Sequence, residues 1–193
     1  MQSNGTDAHP LFGGAFSAVL PPGFRDVSEL REIPDNQEVF AHSHTDQSII
    51  VELLEYQGHV TGRDAARYHF EDVACSNEAA GPGGSQVLSV EPLPAAQTSL
   101  QESESAWLLH GTQLVSKFNE EAENAVSLYL GLFRLPQYST DALVTFNDPV
   151  TINPLSSSAV SESGQDAVPS PWSLEEFRLL LQTLRLLNPD VFG

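Results

Sequence analysis

The segment PDNQEVFAHSHTDQSIIVELLE, residues 34–55, decides the predicted fold. It holds the longest run of β-forming residues in the first half of the chain, and turn-forming residues occupy its middle at Ser43–Gln47. This pattern predicts two strands, Glu38–His42 and Ser48–Tyr56, joined as a β-hairpin.

The same segment carries five carboxylates and no Lys or Arg: Asp35, Glu38, Asp46, Glu52 and Glu55. Ordinary solvated charges explain such a set, and so does an acidic surface that binds a partner. In the predicted strand Ser48–Tyr56, Glu52 interrupts an otherwise apolar face. Glu55 is three residues further on, so a regular strand would point its side chain to the opposite face. The two share a surface only if the strand bulges or ends near Leu54. Otherwise Glu52 lies on a half-solvated face and Glu55 lies in the following loop.

Outside this segment, the composition is that of a globular protein. The chain has 193 residues, of which 40% are hydrophobic and 8% aromatic, enough for one domain with a sizeable core. Cys75 is the only cysteine, which excludes an internal disulfide and is compatible with a reducing compartment. No apolar run has the length of a membrane span, and Met1–Pro10 lacks the layout of a signal peptide.

The charge balance is strongly acidic, with 26 acidic and 8 basic residues and a formal net charge of −18. Such a chain is poorly suited to nucleic acid, because binding the phosphate backbone needs Lys and Arg. It suits a basic protein partner, whose association the field would accelerate. The excess is densest between Asp26 and Asp72, so a binding face is expected there.

The remaining chain predicts one domain with helices and strands. Residues 1–10 are expected to form a mobile tail, residues 11–193 a single globular domain, and residues 150–171 a serine-rich loop. Leu11–Leu20 is predicted to be a short strand and Thr61–Val73 a helix. Four further strands are predicted at Gln86–Leu93, Ala106–Phe118, Ala125–Leu135 and Ala142–Asn147.

The most strongly marked helix is predicted after Trp172. Ser173 and Glu176 have the spacing of a capping box, and Trp172 and Phe177 form a hydrophobic staple across it. An apolar stripe follows at helical spacing and ends before Asn188: Leu174, Phe177, Leu180, Leu181, Leu184 and Leu187. The predicted class is α+β, a six-stranded, mostly antiparallel sheet flanked by helices as an α/β/α sandwich.

No catalytic motif accompanies this fold. The glycine-rich loop after Cys75 lacks the lysine of a phosphate-binding loop, and no nucleophile elbow occurs. Cys75 has His69 nearby, but a lone cysteine at a helix end is more often an inert residue than a catalytic nucleophile. His42, His44 and Asp46 alternate along one strand, but two histidines and one carboxylate in a turn are weak support for a metal site. We therefore expect no catalytic residue, cofactor or metal.

Several segments resemble the Ran guanine nucleotide release factors. The similarity is collinear and covers nearly the whole chain from Leu11, weakening in Ala74–Glu104 and in the serine-rich loop. The segments that carry it are LFGGAF (11–16), PGF (22–24), DVSELR (26–31), PDNQEVF (34–40), DQSIIVELLE (46–55), YHFED (68–72), RLPQY (134–138) with TD (140–141), WSL (172–174) and DVF (190–192).

The resemblance implies a protein that binds the small GTPase Ran and acts in nuclear transport, with a six-stranded antiparallel sheet between helices. Family members bind Ran through acidic residues that correspond here to Asp35, Glu38, Glu52 and Glu55. Asp46, from the same segment, completes the predicted Ran-binding set. The expected location is the nucleus and cytoplasm, and the expected oligomeric state is a monomer. Vertebrate members are linked to trafficking of the cardiac voltage-gated sodium channel, a contact that would place the protein peripherally at the cell membrane without insertion.

Three functional readings follow from these observations. The first is a non-enzymatic Ran-binding protein that promotes release of the bound guanine nucleotide. The second is an acidic adaptor that carries a membrane channel or another basic partner and leaves nucleotide occupancy unchanged. The third, a hydrolase, has no motif behind it. A nucleotide-release assay separates the first two.

Overall fold

The computed structural model describes residues 7–76, 84–115, 124–151 and 170–192. Within these ranges there are two α-helices, α1 (Arg63–Ser76) and α2 (Leu174–Thr183). The strands are β1 (Ala8–Leu11), β2 (Phe16–Val19), β3 (Phe24–Asp26), β4 (Gln37–His42), β5 (Ser48–Glu55), β6 (Ser85–Pro92), β7 (Ser105–Val115), β8 (Asn124–Leu135), β9 (Thr140–Thr151) and β10 (Arg185–Leu186).

In the part of the chain that the structure describes, the main sheet is antiparallel and has seven strands, in the order β3-β4-β5-β9-β8-β7-β6. The predicted hairpin is confirmed, since β4 pairs with β5 in register from Gln37 opposite Glu52 to Ala41 opposite Ser48. The predicted count of six strands is wrong. The missed strand is β3, whose three residues are too few to show an alternating pattern and which forms by pairing with β4.

A second, three-stranded sheet has the order β1-β2-β10. The predicted strand Leu11–Leu20 is wrong as one strand: Leu11 ends β1, and Phe16–Val19 form β2. A turn at Phe12–Gly14, with positive φ angles at all three residues, reverses the chain between them. Glycine adopts this backbone at no steric cost, whereas Phe12 adopts it against its side-chain preference.

Helix α2 is shorter than predicted. The capping box is confirmed, because Ser173 accepts from the amide of Glu176 and the Glu176 carboxylate accepts from the amide of Ser173. The helix ends at Thr183 because Leu184 takes an extended backbone, which lets β10 pair with β2. Leu187 therefore lies outside the helix and is 56% exposed, so its place in the apolar stripe was wrong.

Two apolar clusters cover the two faces of the main sheet. Ala65, Ala66 and Phe70 of α1 pack with buried leucines of β7, β8 and β9 on one face. The other face packs against α2 and the small sheet, in a larger cluster. A Cβ added to Gly131 of β8 would lie 2.5 Å from a methyl of Leu181, so the glycine permits the close approach of α2.

The predicted tail and serine-rich loop fall mainly outside the described residues. Of the tail, residues 8–10 belong to β1, and residues 1–6 are not described. Of the loop, residues 150 and 151 belong to β9, and residues 152–169 are not described. Neither of the described helices is long and apolar enough to cross a membrane.

Candidate functional site

The acidic hairpin presents its carboxylates on both faces of the sheet. Strand β5 pairs without a register shift with β4 and with β9. Glu52 lies opposite Leu143, which belongs to the cluster under α1, whereas Leu53 packs with the cluster under α2. Glu55 shares the parity of Leu53. Since β5 has no bulge, Glu52 and Glu55 point to opposite faces, and no single flat surface contains both.

Glu52 is half-buried beside α1. Its Oε2 accepts a hydrogen bond of 2.9 Å from the Gln37 amide on β4. Burial raises the pKa of Glu52, the Gln37 hydrogen bond opposes this, and the Asp72 charge on α1 adds to it. The fold therefore disfavours the charged form of Glu52.

Glu38 lies on the α2 face and is engaged within the protein. Its Oε1 accepts a hydrogen bond of 2.7 Å from the backbone amide of Phe12. This bond joins β4 to the left-handed turn at Phe12–Gly14, so one oxygen of Glu38 holds the turn in place. The carboxylate is half-buried, and we assign it a positioning role in addition to the predicted contact with a partner.

Asp35 and Glu55 lie at the open end of the hairpin, away from its turn. Both line an open depression of about 390 Å³, together with Leu53 of β5 and with Val191 and Phe192 near the C-terminus. Both carboxylates are exposed. Two hydrogen bonds fix the turn before β4 to β5 here. The backbone amide of Leu53 donates to the Asn36 carbonyl, and the side-chain amide of Asn36 donates to the Leu53 carbonyl.

Asp46 lies in the turn at the other end of the hairpin. Seven residue steps of β5 separate its end of the strand from Glu55, a span of about 23 Å. His42 organises this turn: its Nδ1 accepts from the amides of His44 and Thr45, and its Nε2 lies 2.9 Å from the Ser170 carbonyl. Both ring nitrogens are thus occupied by protein groups. Among the described residues, no group of three or more His, Cys, Asp or Glu side chains could hold a metal.

The structure also contains a buried charged network that sequence reasoning missed. Asp141 of β9 is fully buried and accepts from Nε of Arg134 at 3.0 Å, Nε2 of His69 at 2.9 Å and the amide of Gln57 at 3.1 Å. Burial by itself would raise the pKa of Asp141, but these hydrogen bonds outweigh it and hold the pKa below its usual value.

The Arg134 guanidinium extends this network to the chain that leaves β5. It donates to the carbonyls of Val60 and Gln57 at 2.6 Å each and lies over the Tyr56 ring at 4.3 Å. The network therefore fixes the segment that joins β5 to α1. The available signal was a pair of opposite charges, Arg134 and Asp141, inside two apolar strand runs.

Among the predicted site residues, the structure thus brings Asp35 and Glu55 to one depression, with Glu38 on the same face of the sheet. It places Glu52 on the opposite face and Asp46 at the far end. Val191 and Phe192 were not predicted as lining residues, because nothing local in the sequence relates the C-terminus to the hairpin.

The overall fold occurs among solved structures. The crystal structure of the Saccharomyces cerevisiae Ran-binding protein Mog1p aligns with a TM-score of 0.70 over 97% of this chain and 98% of the other, at 22% sequence identity. The likeness establishes a shared fold: an antiparallel sheet covered by helices, here with an acidic hairpin in it.

Sequence comparisons are more specific. The family model described as "Ran-interacting Mog1 protein" matches residues 9–149. The Danio rerio protein named "Ran guanine nucleotide release factor" is 62% identical over 186 residues, 96% of this chain and 100% of the relative. The Schizosaccharomyces pombe protein named "Nuclear import protein mog1" is 32% identical over 196 residues, 95% of this chain and 98% of the relative. The chain belongs to the Mog1 family.

Proposed function

We propose that this protein binds Ran, promotes release of its guanine nucleotide and thereby supports nuclear protein import. The observation that carries the proposal is the acidic hairpin in a chain whose full-length relative bears the name of a Ran guanine nucleotide release factor. The S. pombe relative, named for nuclear import, supports a nuclear and cytoplasmic location.

Nucleotide release in this proposal requires no bond chemistry. A partner that binds the nucleotide-free GTPase more tightly than the loaded form weakens nucleotide affinity by the same factor. Exposed carboxylates such as Asp35 and Glu55 serve this by pairing with basic side chains on the GTPase. Competition of a carboxylate with the nucleotide phosphates for a lysine or magnesium of the GTPase is a further step within this proposal.

The experiment is the release of labelled guanine nucleotide from Ran, measured with the wild-type protein and with Glu55→Lys. The charge reversal is expected to slow release about tenfold or more at equal protein concentration, since rim charges control association and an interface charge pair is worth several kcal/mol. The matched control is Glu71→Lys, an exposed reversal on α1, which covers the opposite face of the sheet.

Three outcomes of this experiment distinguish the proposed function from its alternatives. Faster release with the wild-type protein, lost in Glu55→Lys and kept in Glu71→Lys, supports the proposal. Ran binding without any change in the nucleotide off-rate would support an adaptor instead. Equal loss in both variants would mean that net charge alone drives the effect. The sodium-channel contact and the peripheral membrane location stay predictions, as do the roles of Glu38, Asp46 and Glu52.

A further inference from the structure

The depression beside Asp35 and Glu55 has an apolar wall as well as an acidic rim. Leu53 of β5 and Val191 and Phe192 of the C-terminal turn Pro189–Phe192 supply the wall. Val191 is 37% exposed, although it is an aliphatic side chain next to charged residues. Exposed carboxylates alone would attract cations without discrimination, so the adjoining apolar surface adds shape and chemistry to the site.

Aromatic contacts position Phe192 in the wall. The Phe192 ring stacks on Tyr138 with 4.5 Å between centroids and meets Phe16 edge-on at 5.9 Å. The backbone amide of Tyr56 donates to the Ser139 carbonyl at 3.0 Å on the β5–β9 side. A preformed site of this kind loses little conformational entropy on binding, which favours affinity.

The charge around the depression is of one sign. Asp35 and Glu55 are the ionisable side chains among its described lining residues, and no Lys or Arg is found among them. An acidic rim around an apolar wall is complementary to an apolar side chain flanked by Lys or Arg. A purely apolar partner would leave the carboxylates desolvated, and a purely cationic one would leave the wall uncovered.

We propose that this depression is the anchor site for a basic-apolar segment of the GTPase surface, in which one aliphatic or aromatic side chain packs on Leu53 and Val191 while a neighbouring Lys or Arg pairs with Asp35 or Glu55. This inference rests on the proposed function and deepens it. It assigns the C-terminal turn a direct role in partner binding.

The test is the equilibrium and kinetic binding of Ran to wild-type protein, Val191→Asp and Leu187→Asp. Leu187 is a matched control, since it lies in the same C-terminal segment, is more exposed than Val191 and does not line the depression. Val191→Asp is expected to weaken binding about tenfold, mainly through a faster off-rate, whereas Leu187→Asp stays within about twofold of wild type. Matching thermal unfolding midpoints for the three proteins establish that folding is intact.

The wild-type measurement separates the two levels of proposal. If wild-type protein binds Ran and Val191→Asp binds equally well, the anchor site is overturned and the proposed function stands. If wild-type protein does not bind Ran, the proposed function is overturned, and so is the assignment of a GTPase segment to this depression. If Leu187→Asp loses as much affinity as Val191→Asp, added charge is responsible and the anchor site is overturned.

Discussion

At the scale of single residues, Glu52 illustrates a carboxylate that works against stability. It lies half-buried on the face covered by α1, with Asp72 nearby, and burial raises its pKa. The folded protein therefore binds this proton more tightly than the unfolded chain does. The stability associated with the neutral form is present below the ordinary pKa of 4.5 and is lost as pH rises through the raised pKa.

Glu52→Gln is expected to be more stable than wild type at pH 7 and to lose that advantage at pH 4. The amide carries no buried charge and still accepts the hydrogen bond from Gln37. Urea unfolding at both pH values measures the two differences. Glu55→Gln, at an exposed position, is the control and should change the free energy of unfolding little. A variant less stable than wild type at pH 7 would contradict the stated cost of Glu52.

Asp141 is the opposite case, a buried carboxylate that stabilises the fold through its partners. Asp141→Asn is expected to lower the free energy of unfolding by about 3–5 kcal/mol, because the buried Arg134 loses its counter-charge. Chemical denaturation measures this loss, and Asp190→Asn at an exposed position serves as the control. A loss below about 1 kcal/mol, the range of surface pairs, would show that water or another group compensates Arg134.

At the scale of elements, the position of α2 depends on the absence of a side chain on β8. Gly131 lies under Leu181, and an added Cβ would meet its side chain at 2.5 Å and 3.0 Å. Leu181 is itself buried, so it has little room to move away. Helix, sheet and capping box therefore act together: the cap begins α2 at Leu174, and the glycine sets how closely α2 packs.

Gly131→Ala is expected to destabilise the protein by about 1–3 kcal/mol through overpacking between β8 and α2. Thermal or urea unfolding measures the change. The control is Gly58→Ala, where the new Cβ would make an ordinary 3.4 Å contact with the Tyr56 ring. If Gly131→Ala proves as mild as Gly58→Ala, α2 shifts outward without cost and the close packing is not required.

At the scale of the whole molecule, the net charge of −18 dominates encounters with other proteins. Charge of this size accelerates association with a basic surface and is screened by salt within about 8 Å at physiological ionic strength. The hairpin carboxylates are spread over two faces and both ends of β5, so attraction is not confined to the depression. The electrostatic field of the net charge acts over a distance and is weakened by salt. In the proposed anchor site, the apolar wall at Val191 adds a short-range contact that salt does not screen.

Raising the salt concentration from 50 to 500 mM is expected to lower the rate of association with Ran about tenfold or more while changing the dissociation rate much less. Stopped-flow or surface-based kinetics at several salt concentrations measure both rates. Potassium chloride and potassium acetate at equal ionic strength serve as controls for specific ion effects. An association rate independent of salt would contradict electrostatic steering by this chain.

The sequence by itself determined the elements whose information is local. The hairpin follows from a turn between two β-forming runs, and the start of α2 follows from Ser173 and Glu176 three residues apart. The acidic character of the hairpin could also be predicted from the sequence. Strand β3 and the end of α2 could not be predicted, because β3 and β10 form by pairing with other segments of the chain.

Tertiary structure alone decided how the carboxylates are grouped. A regular register along β5 separates Glu52 from Glu55, and packing of the C-terminal turn brings Val191 to Asp35 across more than 150 positions of sequence. The burial of Asp141 with Arg134 and His69 has the same origin. Side-chain direction depends on strand pairing, and proximity depends on the packing of remote segments. Neither is encoded in the spacing of neighbouring residues.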